Sequence, residues 1–558
     1  MTMKHCAEAG PRPGTLPSRL GAVLARVPGM GILVAVLLGA MPSVGFASET
    51  EGFVYSTDPV SQAIVGGFLA VLFLSLIVEV FHKTLAVAAI TAIMLMVSFA
   101  TPYHIMDFEV AVASVDWNVI FLLGSMMIIV DVLASTNLFD WLTAHMAFAA
   151  KGKAVPMMAI IVIGCGLLSA VADNVTTVLF MAPVVAKVAR ALRISVWTIA
   201  MPMIMAANIG GTATLIGDPP NVIIGVAAGL QFMDFIVYLT IPSLVMLGVM
   251  LYVSIWINRR ALAGAHVMSM SAIGDVKIEH PVTLKWTLAM VGLIFIGFFS
   301  HGVTHLPVGI VALCGAVLTM TGRHLIQRRY VSAKVAEHAF THSFERGIEW
   351  LTLGFFIFLF MLISSAEHTG LIGSAASLLQ DMVEKVSSGF GLGWQVKLLA
   401  AALIILVASA LISAAVDNIP YTIAAVAIVK VLITNLDAEI LATGVDPQQL
   451  LTSSEILWWA LAFGACLGGN GTLIGASANV TTVGILEKDG HYMPFLQFLR
   501  FGLPMMMLSV VIAGGFLASY ITLGVAQTNM FGAIILGVLL LLPLLRRLRR
   551  RLPGELKP

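Results

Sequence analysis

Charge is what this chain has least of. Lys, Arg, Asp and Glu together supply 11% of its 558 residues, where an average soluble domain carries about a quarter, and mean hydropathy is +1.00. An ordinary soluble fold is excluded. Cysteine is also sparse: Cys6, Cys165, Cys314 and Cys466 stand far apart, three of them in apolar runs, so neither a disulfide framework nor a metal motif can be assembled from them. The basic residues are scattered and the net charge is +1, which argues against a nucleic-acid surface. No GxxxxGK[ST] loop occurs, so the chain encodes no ATPase of its own. Large soluble domains, which a receptor or scaffold would need, are absent as well.

What is present is apolar sequence of membrane-spanning length, repeated along the chain. The protein is polytopic. Residues 1–47 have the pattern of a signal peptide or N-terminal signal anchor: Lys4, Arg12, Arg19 and Arg26 precede an apolar stretch from Gly31 to Ala40, and Gly45-Phe46-Ala47 ends in a small residue before Ser48.

The chain is also internally duplicated. LLSAVADN (Leu167 to Asn174) recurs as LISAAVDN (Leu411 to Asn418), and GGTATLIGDPPNV (Gly210 to Val222) recurs as GGNGTLIGASANV (Gly468 to Val480). The expected spans are 62–81, 84–100, 118–137, 196–230 and 236–257 in the first copy, and 286–300, 307–322, 349–366, 456–486 and 496–522 in the second, with an extra helix at 529–545. Between them lie paired shorter runs, 156–172 with 178–192 and 398–416 with 423–435, read as re-entrant hairpins. Five crossings per copy is an odd number, so the second copy must be inverted. The expected fold is an all-α polytopic membrane protein of two inverted-topology repeats, 62–257 and 286–522, joined by a cytoplasmic linker at 258–285 and ending in a basic tail at 546–558. Each repeat holds a re-entrant hairpin and an unwound helix, with about 11 crossings after the signal sequence.

Loop charge agrees with that layout. Lys83, Lys151, Lys153, Lys187, Arg190, Arg193, Arg259, Arg260, Arg323, Arg328, Arg329 and the arginines of the tail fall on one side, and Glu49, Glu51, Asp107, Glu109, Asp234, Asp437, Glu439 and Asp446 on the other, with few basic residues there beyond Lys385, Lys397 and Lys430. The positive-inside rule then puts the mature N-terminus outside and the C-terminus in the cytoplasm of an inner (plasma) membrane.

The chemistry gathers at the duplicated motifs. Backbone leaves helical geometry at membrane depth only where protein or a polar cavity receives it, so the tips Asp173-Asn174-Val175-Thr176-Thr177 and Asp417-Asn418-Ile419-Pro420 with Thr422 are expected to meet near the midplane. Helix N-termini there favour an anion. Asn208, Gly210, Gly211, Thr212 and Thr214 with Asn221, and Gly468, Gly469, Asn470, Gly471 and Thr472 with Asn479, form glycine-rich stretches whose unwound carbonyls suit a hard cation such as Na⁺. Close helix packing is the structural alternative for such glycines. A carboxylate at membrane depth is protonated or cation-paired, which makes Asp173 and Asp417 candidate carriers; the bland alternative is a helix cap. A Na⁺ ion would draw on Asp173, Asn174, Gly211, Asp417, Asn418 and Gly469. Asp218 ranks lower because Ala476 replaces it in the second copy, and Asp131 and Glu79, alone in apolar spans, are second-tier relay candidates, the bland alternative being an interfacial or hydrogen-bonded acid.

These motifs resemble the ion transporter superfamily of the arsenite pump ArsB, the NhaD-type sodium/proton antiporters and the divalent-anion/sodium symporters, and within it the branch of the melanosomal P protein and its bacterial relatives. The resemblance spans about 100 to 522 and implies an inverted-repeat, commonly homodimeric fold that moves its site by an elevator-type displacement. Dicarboxylate symporters of this layout have Ser-Asn-Thr at both tips, whereas this chain has acids there, which disfavours citrate or succinate unless the acids are neutralised. The expected function is ion-coupled secondary transport of a small ion or anion, with Na⁺ or H⁺ as coupling ion and no cofactor. The alternatives are a Na⁺/H⁺ antiporter and, from another class, a membrane-embedded hydrolase with Asp173 and Asp417 as its acid/base pair.

Overall fold

The computed structural model describes residues 58–551 apart from 79–81, 104, 267–276, 330–332, 389–392, 447–449 and 451–453. The signal expected over 1–47, Glu79 and residues 552–558 therefore lie outside the described residues. Among those described, the regular elements are helices and none is a strand, as a chain without water to satisfy its backbone requires.

The first copy runs α1 (Pro59–Val78), α2 (Lys83–Ala100), the short α3 (Phe108–Ala113), α4 (Trp117–Ala134), α5 (Leu138–Ala149), a hairpin of α6 (Ala154–Ser169) and α7 (Asn174–Leu192), a broken helix of α8 (Trp197–Thr212) and α9 (Pro219–Ala228), and α10 (Phe232–Ile257). One π-helical turn, Ile236–Thr240, lies inside α10. After the short α11 (Arg259–Ala263), the second copy follows as α12 (Pro281–Thr304), α13 (Val308–Arg328), α14 (Ala333–Arg346), α15 (Trp350–His368), α16 (Leu371–Ser388), a hairpin of α17 (Trp394–Ala415) and α18 (Asn418–Leu441), a broken helix of α19 (Ile456–Gly468) and α20 (Ser477–Lys488), and α21 (Phe495–Leu523). α22 (Val525–Arg551) closes the chain.

Packing between the copies is reciprocal. α2 lies against α15 and α4 against α13, so the second helix of each copy meets the third of the other. The return arm α7 packs on α20, and α18 on α9, so each hairpin also meets the far half of the other copy's broken helix. Two groups result: α1, α2, α4, α12, α13 and α15 on one side, and the hairpins with the broken helices, α10 and α21 on the other.

Among the described residues, eleven helices are long and apolar enough to cross a membrane. The number matches expectation but the membership does not. The hairpin arms Asn174–Leu192, Trp394–Ala415 and Asn418–Leu441 qualify by length, while three expected spans drop out: both broken helices, because their breaks divide them into segments of 10 to 16 residues, and the extra helix expected over 529–545, whose apolar part Val525–Leu541 is too short. Helices α5 and α16 were not anticipated, since each mixes polar and apolar residues too evenly for a hydropathy run. α16 buries Ile372, Ala376 and Val383 and exposes Leu378, Met382 and Val386. α5 touches both arms of the first hairpin and α16 both arms of the second.

Candidate functional site

The same two side-chain bonds tie each hairpin to the broken helix of its own copy. Ser169 Oγ donates to the Ala207 carbonyl at 2.7 Å and Thr214 Oγ1 to the Ala170 carbonyl at 2.6 Å. In the second copy, Ser413 Oγ donates to Ala465 at 2.6 Å and Thr472 Oγ1 to Ala414 at 2.5 Å. Glycine lets the pairs close: a Cβ on Gly210 would fall 2.0 Å from the Gly166 carbonyl oxygen, and one on Gly468 2.6 Å from that of Ala410.

These glycines correct one expectation. The stretch from Asn208 to Thr212 is helical, and the chain leaves the helix only over 213–218; in the second copy it does so over 469–476, so Gly469, Asn470, Gly471 and Thr472 leave helical geometry as expected and Gly468 does not. Gly210 and Gly468 therefore serve close approach between helices, the alternative that such glycines also allow. Gly211 packs against the break itself, where a Cβ would fall 2.7 Å from the Gly217 carbonyl oxygen.

Asparagines occupy the centre. Asn174 Nδ2 at the first tip donates to Asn208 Oδ1 at 3.2 Å, and Asn208 Nδ2 donates onward to Asn470 Oδ1 at 2.9 Å and Asn479 Oδ1 at 3.0 Å. This joins the first hairpin to both broken helices. Asn418 Nδ2 at the second tip donates to the two carboxylate oxygens of Asp218, 3.3 Å each. Asn174, Asn208, Asp218, Asn418, Asn470 and Asn479 are all buried, and Asn470 Nδ2 is a buried donor without a partner. Asn221 Nδ2 donates to the carbonyls of Gly211, Thr212 and Thr214, and Asn479 Nδ2 to those of Gly469 and Thr472. The carbonyls of Gly211 and Gly469, expected to face a cation, are thus each engaged by a side-chain amide. Cys466, which stands where the first copy has Asn208, donates to Asn221 Oδ1 at 3.5 Å.

The tip acids take different partners. Asp173 caps α7, with Oδ1 accepting from Thr176 N at 2.9 Å and Oδ2 from Thr176 Oγ1 at 2.5 Å. Asp417 caps α18 and lies 3.3 Å from Lys83 Nζ, and its Oδ2 also accepts from Ser477 Oγ at 2.8 Å. Asp131 is held by Ser343, whose Oγ donates to it at 2.5 Å and accepts from the buried Arg323 at the same distance.

A cavity of about 370 Å³ opens onto this centre, bordered by Asp173, Asn174, Thr176, Asp218, Asn418 and Ser477, with Lys83, Asp131 and Glu349 on the facing helices and Leu122, Leu123, Met126 and Met127 as an apolar wall. Not every expected residue reaches it. Thr177, Thr212, Thr214, Thr422 and Thr472 spend their hydroxyls on backbone carbonyls and act in holding the backbone. Lys83 and Ser477 were missed as site residues. Their only signals were a lysine between two apolar spans and a serine where the first copy has Pro219.

Known transporters resemble this chain in sequence and in fold. An uncharacterized transporter of Mycobacterium tuberculosis is 36% identical over 410 residues, covering 72% of this chain and 86% of that protein. The human P protein is 28% identical over 558 residues, covering 85% of this chain and 61% of the relative. Among solved structures, the YdaH transporter of Alcanivorax borkumensis superposes with a TM-score of 0.51 at 14% identity, covering 84% of this chain and 99% of its own, which supports the fold alone. Residues 70–460 match the citrate transporter family, and this chain belongs to it.

Proposed function

We propose that the chain is a secondary active transporter, coupled to Na⁺ or H⁺, that carries a small ion or an inorganic or organic anion across the inner membrane. The observation that carries this reading is the convergence of both hairpin tips and the first helix break on one cavity, joined by buried amides from both copies. Amide donors and helix N-termini suit an anion, and the carboxylates beside them suit a cation. Coupling needs both at one place.

An elevator-type displacement is supported by the division into two helix groups, one holding every site motif. Both tips border the ends of α2, α4 and α15 that carry Lys83, Ala134 and Glu349. With the orientation read from loop charge, those ends are cytoplasmic, as is the C-terminus, and the arrangement is inward-facing.

A second reading, Na⁺/H⁺ antiport with the cation as solute, is favoured by charge. Asp173, Asp218 and Glu349 border the cavity with Lys83, and Asp131, also at the cavity, has the Arg323 guanidinium at 3.9 Å. A free polyanion such as citrate enters such a site only after cations neutralise it. The hydrolase reading loses its pair, because Asp173 is engaged by Thr176 and Asp417 by Lys83 and Ser477.

Purified protein in liposomes under imposed Na⁺ or pH gradients, with a panel of labelled anions that includes citrate, separates the two. Gradient-driven uptake of an anion supports the first reading. Na⁺-driven proton movement without added anion supports antiport.

A further inference from the structure

We infer that Lys83 is a tethered cation that occupies the second hairpin tip, and that the coupling cation must displace it. The inference rests on cation coupling as proposed above and adds the residue that opposes it. Lys83 is the first residue of α2, where the helix dipole places partial positive charge and disfavours an ammonium. Its position is explained by what it reaches. Nζ lies 3.3 Å from Asp417 Oδ2 and 3.2 Å from Ser477 Oγ, which themselves share a hydrogen bond, so one ammonium closes a triangle with a carboxylate and a hydroxyl. Two oxygens on a half-buried site can supply part of the shell of a hard monovalent cation, with water completing it.

Nζ also lies 5.5 Å from the centre of the Phe355 ring on α15, within cation–π range. Lys83 and Phe355 thus belong to the helix group that packs α2 on α15, while Asp417 and Ser477 belong to the hairpin and the second broken helix. The contact therefore ties the group that carries the site to the group that does not, and a cation that replaces the ammonium at Asp417 removes the tie. The first tip is built differently: Asp173 places both oxygens on Thr176, and Pro219, without a hydroxyl, stands where the second copy has Ser477.

The test is a NaCl titration of the full-length protein, with choline chloride as ionic-strength control. It is read as thermal stabilisation in detergent and as half-saturating Na⁺ for transport in liposomes. Lys83→Met keeps the stem and removes the competing charge, so half-saturation should fall on the order of tenfold, while Lys83→Arg should stay within about twofold of the parent. If Lys83→Met does not reach the membrane, Lys83→Gln carries the same expectation. An unchanged or raised half-saturation at normal maximal rate overturns the proposal. A parent that ignores Na⁺ but transports under a pH gradient overturns it too, while leaving the transporter reading intact; a parent that responds to neither overturns both.

Discussion

Gly210→Ala should damage this protein more than its single added methyl suggests. The new Cβ would lie 2.0 Å from the Gly166 carbonyl oxygen and 2.6 Å from its carbonyl carbon, where ordinary contact begins at 3.4 Å. Backbone opposes backbone, so no side-chain rotation relieves the clash and α6 must part from α8 by about 1.4 Å (3.4 − 2.0). Overpacking of that kind costs about 1–3 kcal/mol. The site lies one half-turn away. Asn208 holds Asn470 and Asn479 at 2.9 and 3.0 Å, and half the displacement, roughly 0.7 Å, carries both beyond hydrogen-bond distance. The control is Gly484→Ala in α20, where nothing lies within 4 Å of the added carbon and a helix interior gains about 1 kcal/mol from alanine. Thermal unfolding in detergent and flux in liposomes at matched protein should both fall for Gly210→Ala and neither for Gly484→Ala. Equal behaviour of the two variants would refute the packing argument.

Asn caps a helix about as well as Asp, so the double change Asp173→Asn with Asp417→Asn should leave protein in the membrane yet abolish the response of transport to the imposed ion gradient; full retention of that response removes the coupling role. Asp218→Asn replaces one of the two oxygens that accept from Asn418 Nδ2 with a donor and removes a buried titratable group, and flux measured at matched protein should fall at least about tenfold; parental flux would make Asp218 a bystander. In a background without the native cysteines, Glu345→Cys and Thr443→Cys, both at exposed positions, should react with an impermeant thiol reagent from opposite sides of the membrane. Same-side labelling contradicts the inverted arrangement.

The span pattern and the duplication were legible because each leaves a mark in one dimension: apolar runs for the helices, recurring words such as LLSAVADN and LISAAVDN for the copies. The Asp-Asn tips were legible for the same reason, as polar groups inside apolar sequence. What escaped depends on pairing across the fold. Lys83 meets a carboxylate 334 positions away, and loop charge counted it merely as a cytoplasmic lysine. Asp218 ranked below the tip acids because Ala476 replaces it in the second copy, yet its burial against Asn418 puts it at the centre. The duplication misled there: a site between two diverged copies can use one member of a pair alone. The glycines misled differently, since the freedom to unwind and the freedom to pack closely read alike in sequence, and only the Gly166 carbonyl opposite Gly210 separates them. Asp131 looked like an isolated acid until Ser343 and Arg323, from the other copy, were placed beside it.

The central claim is that one amide-lined centre, shared by both copies, carries a solute at the expense of an ion gradient. Its most direct test is gradient-driven flux in liposomes measured side by side for the parent and Asn208→Ala, the change that removes the side chain linking Asn174 to Asn470 and Asn479. The account predicts flux in the parent under a Na⁺ or proton gradient, collapse of that flux when the gradient is dissipated, and near-background flux in Asn208→Ala at equal protein. Parental flux in the variant, or no movement of any tested solute or of protons by the parent, would contradict it.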